Sequence, residues 1–254
     1  MTKHLVIPDV QAKPEVSLEH LSWIGQYIIK IRPDVIVQIG DFADMPSLCS
    51  YDKGKKCFEG RRYKADIQAA RIAMDLLLDP IKKYNQRQRE TKHRLYLPRM
   101  VLTLGNHEQR IERAVESLAE LDGIISYDDL PYQDWEVHDF LKPVFIDGVC
   151  YAHYMANPMT GNPYSGLSST ILKTIGHSFV TGHVQKLDVA TRHLVDGSQQ
   201  WAIQAGACYS HFENYKGHQG NNHWRGIIVL HRVQNGSFDP MFVSLDYLRD
   251  KYGQ

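Results

Sequence analysis

Four apolar runs in this chain end in side chains that can hold a cation or move a proton. They end in Asp9-Val10-Gln11, Gly40-Asp41-Phe42-Ala43-Asp44, Gly105-Asn106-His107-Glu108 and Gly182-His183-Val184-Gln185, and His153 closes a fifth run. Carboxylates, amides and imidazoles together offer the mixed oxygen and nitrogen donors that suit divalent ions. A glycine ahead of the ligand lets backbone and ion approach closely. Each block alone has a plain structural explanation. Asp9 could be a turn residue, Asn106 could cap a helix, and a single histidine in an aromatic strand, such as His153, is often structural. Their shared place at strand ends makes the set informative, because strand ends on one edge of a sheet converge in space.

The elements that must position these blocks are legible. HLVIPDV (4–10) and DVIVQIGD (34–41) read as buried strands. Between them Leu18, Leu21, Ile24, Ile28 and Ile31 fall at helical spacing, with Ser17 as the expected N-cap. This is a βαβ unit and hence a parallel strand pair. A long helix follows from Lys64 to Glu90, expected to bend or break at Pro80. RMVLTLGN (99–106) is a further strand, with a helix after it. Residues 123–143 show no period and read as loop and short helix. VFIDGVCYAHYM turns at Asp147-Gly148 as a tight hairpin ending at His153. A short helix at 168–176 leads into SFVTGHVQ, and four more strands follow, with Asp196-Gly197 and Asn235-Gly236 at hairpin turns. The sequence suggests one α/β domain over residues 1–254.

Totals exclude several classes. Lys+Arg and Asp+Glu balance at 29 each, so any grip on a polyanion must be local. The scattered Cys49, Cys57, Cys150 and Cys208 read as reduced thiols. No run reaches the roughly 18 apolar residues of a membrane span. A soluble, cytoplasmic protein with no membrane partner is expected.

The five blocks resemble those of the calcineurin-like metallophosphoesterases, whose pattern is D-x-H, GD-x-x-D, GNH-E/D, a lone His and GH-x-H. The loop-rich middle also resembles small members encoded by bacteriophages, for which the compartment would be the host cytoplasm. The resemblance implies a four-layer α/β/β/α sandwich of two mixed sheets flanked by helices. It also implies a dinuclear centre that hydrolyses phosphoesters, with two cations about 3.5–4 Å apart stabilising the charge of the reacting group. Carried over, Asp41 bridges the ions, Asn106, His153 and His183 complete one subsite, and Asp9 serves the other with the positions of Gln11 and Gln185. His107 matches the non-ligand histidine that donates to the phosphate or the leaving oxygen, and Asp44 matches the acid that orients it.

Gln11 and Gln185 depart from the pattern together, and both map to one subsite. Amide oxygen is a harder and weaker ligand than imidazole. That subsite should therefore prefer Mn²⁺ or Mg²⁺ to Zn²⁺, or hold its ion loosely. Mn²⁺ is the expected ion, with Mg²⁺, Zn²⁺ or Fe as alternatives. After the Gly40-Asp41 block, Lys53, Lys55, Lys56, Arg61, Arg62 and Lys64 face only Asp52 and Glu59. This run is either a solvated loop or a flap that steers phosphate, with Lys55, Lys56, Arg61 and Arg62 binding substrate. The stretch YSHFENYKGHQGNNHW (209–224) is either a surface loop or a platform that stacks a base or aryl group. These features favour phosphodiester, nucleotide or nucleic-acid substrates. A phosphomonoesterase is the alternative; against a protein phosphatase, Met45-Pro46 follows Asp44 and Leu104 precedes Gly105. A binding protein that has lost one ion and its turnover is the third reading.

Overall fold

A computed structural model describes residues 1–213 and 216–253. The strands are β1 (Thr2–Ile7), β2 (Val35–Gln38), β3 (Arg99–Thr103), β4 (Glu136–His138), β5 (Val144–Ile146), β6 (Val149–Ala152), β7 (Phe179–Thr181), β8 (Leu187–His193), β9 (Gln199–Ala205), β10 (Gly226–Gln234) and β11 (Ser237–Ser244). The helices are α1 (His20–Ile31), α2 (Tyr63–Glu90), α3 (Arg110–Ser117), α4 (Ser168–Ile175), α5 (Gly217–Gly220) and α6 (Leu245–Tyr252). Among the described residues, no helix is long and apolar enough to cross a membrane.

Two mixed sheets form. The first has six strands in the order β11-β10-β1-β2-β3-β4, and the second has five in the order β5-β6-β7-β9-β8. Strand alternation assigns each face to a core. In β1, Leu5 and Ile7 pack toward α1 and α2, while Val6 packs toward the second sheet. Ile36 and Leu102 share the helical side, whereas Val35, Val37 and Val101 meet Tyr151, Val180 and Ile203 of the facing sheet. The outer face of that sheet presents Cys150, Phe179 and Ala202 to Ile171 and Leu172 of α4. Period-2 side-chain placement thus builds helix, sheet, sheet and helix layers. The chain is an α/β sandwich with the four-layer order that the resemblance implies.

Several local expectations need correction. Helix α1 starts at His20 with Glu19 at the N-cap and no side-chain cap, so Ser17 does not cap it. Helix α2 runs unbroken through Pro80. There α1 crosses it closely: a Cβ on Gly25 would lie 2.4 Å from the Leu77 carbonyl and 2.8 Å from the Pro80 ring. Tertiary packing outweighs the cost of one missing helical hydrogen bond. The segment read as loop and short helix also contributes β4, which pairs in parallel with β3, and α6 follows the last strand.

Candidate metal centre

Strands β1, β2 and β3 are mutually parallel, and so are β6 and β7. Their C-terminal ends therefore point the same way and bring the five blocks together. The loops there are tied to one another, within each sheet and, through Cys208, between the sheets. Gln11 N–H donates to the Asp41 carbonyl at 2.8 Å, Gly182 N–H to the His153 carbonyl at 2.9 Å, and Cys208 N–H to the Asp9 carbonyl at 2.9 Å. Gln11, Asp41, Met45, His183 and Gln185 all adopt positive φ, between 47° and 67°. Each such residue costs of order 1–3 kcal/mol and persists because its surroundings dictate it, which is common at functional sites. Glycine is required beside them. A Cβ on Gly40 would lie 2.6 Å from His153 Nδ1, and one on Gly182 would lie 2.3 Å from Asp9 Oδ1.

Asp41, His153 and His183 bring ligand atoms within 4.8 Å of one another. Asn106 Oδ1 stands between the two imidazoles, 2.9 Å from His153 Nε2 and 2.8 Å from His183 Nδ1. His153 Nδ1 donates to the Ile39 carbonyl at 2.9 Å, which turns Nε2 toward the Asp41 carboxylate at 3.3 Å. Burial alone would lower the His153 pKa, but Asp41 and then Asp9 outweigh it and raise it to about 9. The charged form of His153 is thus favoured, and its Nε2, beside Asn106 and Asp41, is the atom from which a metal ligand would donate. For Asp41, burial pushes upward, but His107 and His153 more than offset it and hold the carboxylate ionised. Burial, with His153 adding to it, lowers His183 to about 4 and keeps it neutral. Buried carboxylate, amide oxygen and two imidazoles around one point fit a divalent ion.

The second expected subsite is built differently. Asp9 is fully buried; its Oδ1 accepts the His183 N–H at 3.0 Å, while its Oδ2 has no hydrogen-bond partner among the described residues. Burial is the main cause that raises its pKa to about 6. Gln11 is also buried, with Nε2 unpartnered. Gln185 Oε1 is already engaged: it accepts from the Tyr209 hydroxyl at 2.9 Å and from the Lys216 ammonium.

His107 stands at the rim with 14% side-chain exposure, so a substrate can reach it. Its Nδ1 donates to Asp44 Oδ1 at 2.6 Å, leaving Nε2 3.6 Å from Asp41 Oδ2 and 3.2 Å from Arg110 Nη2. Burial works against its charge, but Asp41 and Asp44 prevail and raise its pKa. Asp44 experiences the same contest: burial pushes it up, and His107, Lys13 and Arg110 bring it down further. Asp44 and His107 thus form a carboxylate-oriented imidazole beside the cluster.

Three further residues, to which the sequence reading gave no role, support the site. Glu108, fully buried, accepts N–H bonds from Asp41 (3.0 Å), Ala43 (2.9 Å) and Gly105 (2.9 Å) and the Tyr132 hydroxyl (3.0 Å). It fastens the Asp41 loop to the Asn106 loop. Arg110, one helical turn after His107, donates to the Asp44 carbonyl at 2.6 Å. Lys13 pairs with Glu213 and lies 3.5 Å from Asp44 Oδ2. The spacing of Arg110 from His107 is a signal that could have found it; Glu108 needed the fold.

The basic run is not drawn into this cluster. Arg61 donates to Asp52 at 2.9 Å and to the Pro46 carbonyl at 3.0 Å, so it braces its own loop. Lys55 pairs with Asp52, Lys56 is exposed, and Arg62 donates to the Arg61 carbonyl. Among the described residues none of the four contacts Asp41, His107, His153 or His183. In the aromatic stretch, Tyr209 is fully buried against His211 and cannot stack on a substrate, whereas Phe212 is exposed beside Arg225. Tyr215, also part of that platform, lies outside the described residues.

No protein-family model matches this chain, and no curated protein matches it. Among solved structures 41 chains are similar. One is a crystal structure with 11% sequence identity, aligned over 96% of this chain and 99% of its own at a TM-score of 0.40. A likeness of that degree carries no argument about function.

Proposed function

We propose that the protein is a metal-dependent phosphoesterase of the calcineurin-like kind. The observation that carries this reading is the convergence of Asp41, Asn106, His153 and His183 on one point beside the Asp44–His107 pair. A divalent ion held there would supply Lewis-acid stabilisation of phosphoryl charge and an acidified water. The chain's own residues do the rest. Asp41 and the two imidazoles hold the ion, and Gln38, bonded to both the N–H and the carbonyl of Gly40, fixes the loop that carries Asp41. His107, oriented by Asp44 and lying beside Asp41, is the group that would donate to a phosphate or a leaving alkoxide. A pure binding protein has no need of an imidazole oriented by a buried carboxylate, which favours turnover over the binder.

Arg110, Lys13 and Lys216 surround the site with positive charge suited to a phosphate. The preference for diester or nucleotide substrates rests on the basic run, which no contact among the described residues draws into the cluster, and on the aromatic stretch of the sequence; monoesters are the second reading. Mn²⁺ is the proposed ion, given a mixed oxygen and nitrogen donor set. Comparing aryl monoesters, aryl diesters and short oligonucleotides over Mn²⁺, Mg²⁺ and Zn²⁺ tests it. Turnover of diesters above monoesters with Mn²⁺ is expected. Stoichiometric ion binding without turnover of any of these would leave the binder.

A further inference from the structure

The subsite of Asp9, Gln11 and Gln185 contains a side chain that the ligand pattern lacks. Lys216 donates its ammonium to Gln185 Oε1 and, at 3.0 Å, approaches the Tyr209 hydroxyl, which donates to that same oxygen at 2.9 Å. A carbonyl oxygen has two lone pairs, and both are used here. Partial burial lowers the pKa of this lysine, and Glu213 and then Asp9 act against that by favouring its charged form. Asp9 Oδ1 accepts the His183 N–H, and its Oδ2 has no hydrogen-bond partner among the described residues.

An ammonium explains what the two glutamines do in place of imidazoles. It is a compact point charge with three donors, and it requires acceptors around it. A glutamine oxygen offers two acceptor sites in one direction, which Lys216 and Tyr209 share; a neutral imidazole offers one. A divalent ion in the same subsite would stand within a few ångströms of a like charge in a buried setting, where repulsion is strong.

We propose that Lys216 is the resident cation of the Asp9–Gln11–Gln185 subsite, so that the centre holds one divalent ion and one ammonium. This rests on the metal-centre reading for the first ion. The ammonium would then supply a single positive charge where the pattern has a second ion.

The test is a calorimetric titration of Mn²⁺ into the metal-stripped full chain, with electron paramagnetic resonance on the same samples. One ion per chain and an isolated-ion spectrum are expected. In Lys216→Met and Lys216→Gln a second ion should bind, about a hundredfold or more tightly than the natural chain would take it, as removal of a nearby like charge requires. The loaded variants should then show a spin-coupled pair, while Lys216→Arg should remain at one ion. Circular dichroism checks that each variant folds, and the glutamine variant retains polarity and length if the methionine variant does not fold. Two ions and a coupled spectrum in the natural chain would overturn the lysine assignment and leave the metal centre standing. An unchanged second step in a folded charge-free variant would overturn it as well. No ion bound by any of the chains would overturn both readings.

Discussion

Glu108 offers the sharpest test of how the site is held. Its carboxylate accepts three backbone N–H groups and one hydroxyl, all between 2.9 and 3.0 Å. Glu108→Ala leaves these donors around a buried hole. Each unsatisfied donor costs about 1–3 kcal/mol. With water entering to serve about half of them, a loss of about 2–6 kcal/mol remains. At roughly 2–4 °C per kcal/mol for a chain of this size, Tm should fall by about 4–24 °C. Glu108→Gln separates charge from shape. One oxygen is retained, and its NH₂ can face Ala43 N–H and Tyr132, whose hydroxyl can turn to accept. Only one donor is then opposed, so about half the loss is expected. Both variants should also weaken Mn²⁺ binding, because Asp41 holds a φ of 51° that Glu108 helps to impose. Thermal melts followed by calorimetric metal titration measure both. A Glu108→Ala protein melting within about 2 °C of the natural chain would refute the reasoning.

His107→Gln should retain its metal while kcat falls by roughly 10²–10⁴-fold, most for poor leaving groups, as stopped assays and metal analysis would show. Metal loss in that variant would instead make His107 a ligand. In the metal-free protein the raised pKa of His153, about 9 against the 6.5 of a free imidazole, contributes stability fully present below 6.5 and lost as pH rises through 9. Metal affinity should change in the opposite sense, rising by up to about tenfold per pH unit over that window as the proton is displaced. Melts with and without Mn²⁺ at several pH values would reveal both slopes, and a metal affinity independent of pH would count against His153 as a ligand. Replacing Lys55, Lys56 and Arg62 by alanine should raise KM for oligonucleotides but not for small aryl esters, with the defect shrinking in high salt. Arg61→Ala should lower Tm instead, because Arg61 is bonded to Asp52 and Pro46; equal effects on both substrates would remove the flap.

The layers were legible because they follow from period. The alternation of Leu5, Val6 and Ile7 separates two cores whatever their partners are. The blocks were legible because parallel strands deliver their ends to one edge. Strand β4 was hidden because its three residues, Glu136, Val137 and His138, lie at an exposed edge and carry no apolar alternation. Pro80 does not break α2, and local propensity could not show this because it cannot see Gly25 across the helix crossing. The partners of the site were less visible still. Glu108 looks like an ordinary residue after a ligand, and its role exists only once the backbone of Asp41, Ala43 and Gly105 surrounds it. Lys216 stands 31 residues beyond Gln185, and no spacing rule connects an ammonium to that amide.

Hydrolysis of an aryl phosphodiester by the stripped protein, before and after one equivalent of Mn²⁺, with His183→Ala alongside, tests the central claim most directly. Chelated protein should be inactive, added Mn²⁺ should restore turnover, and His183→Ala should neither hold the ion tightly nor recover. Full turnover without metal, or recovery by His183→Ala equal to that of the natural chain, would contradict a metal centre at Asp41, Asn106, His153 and His183.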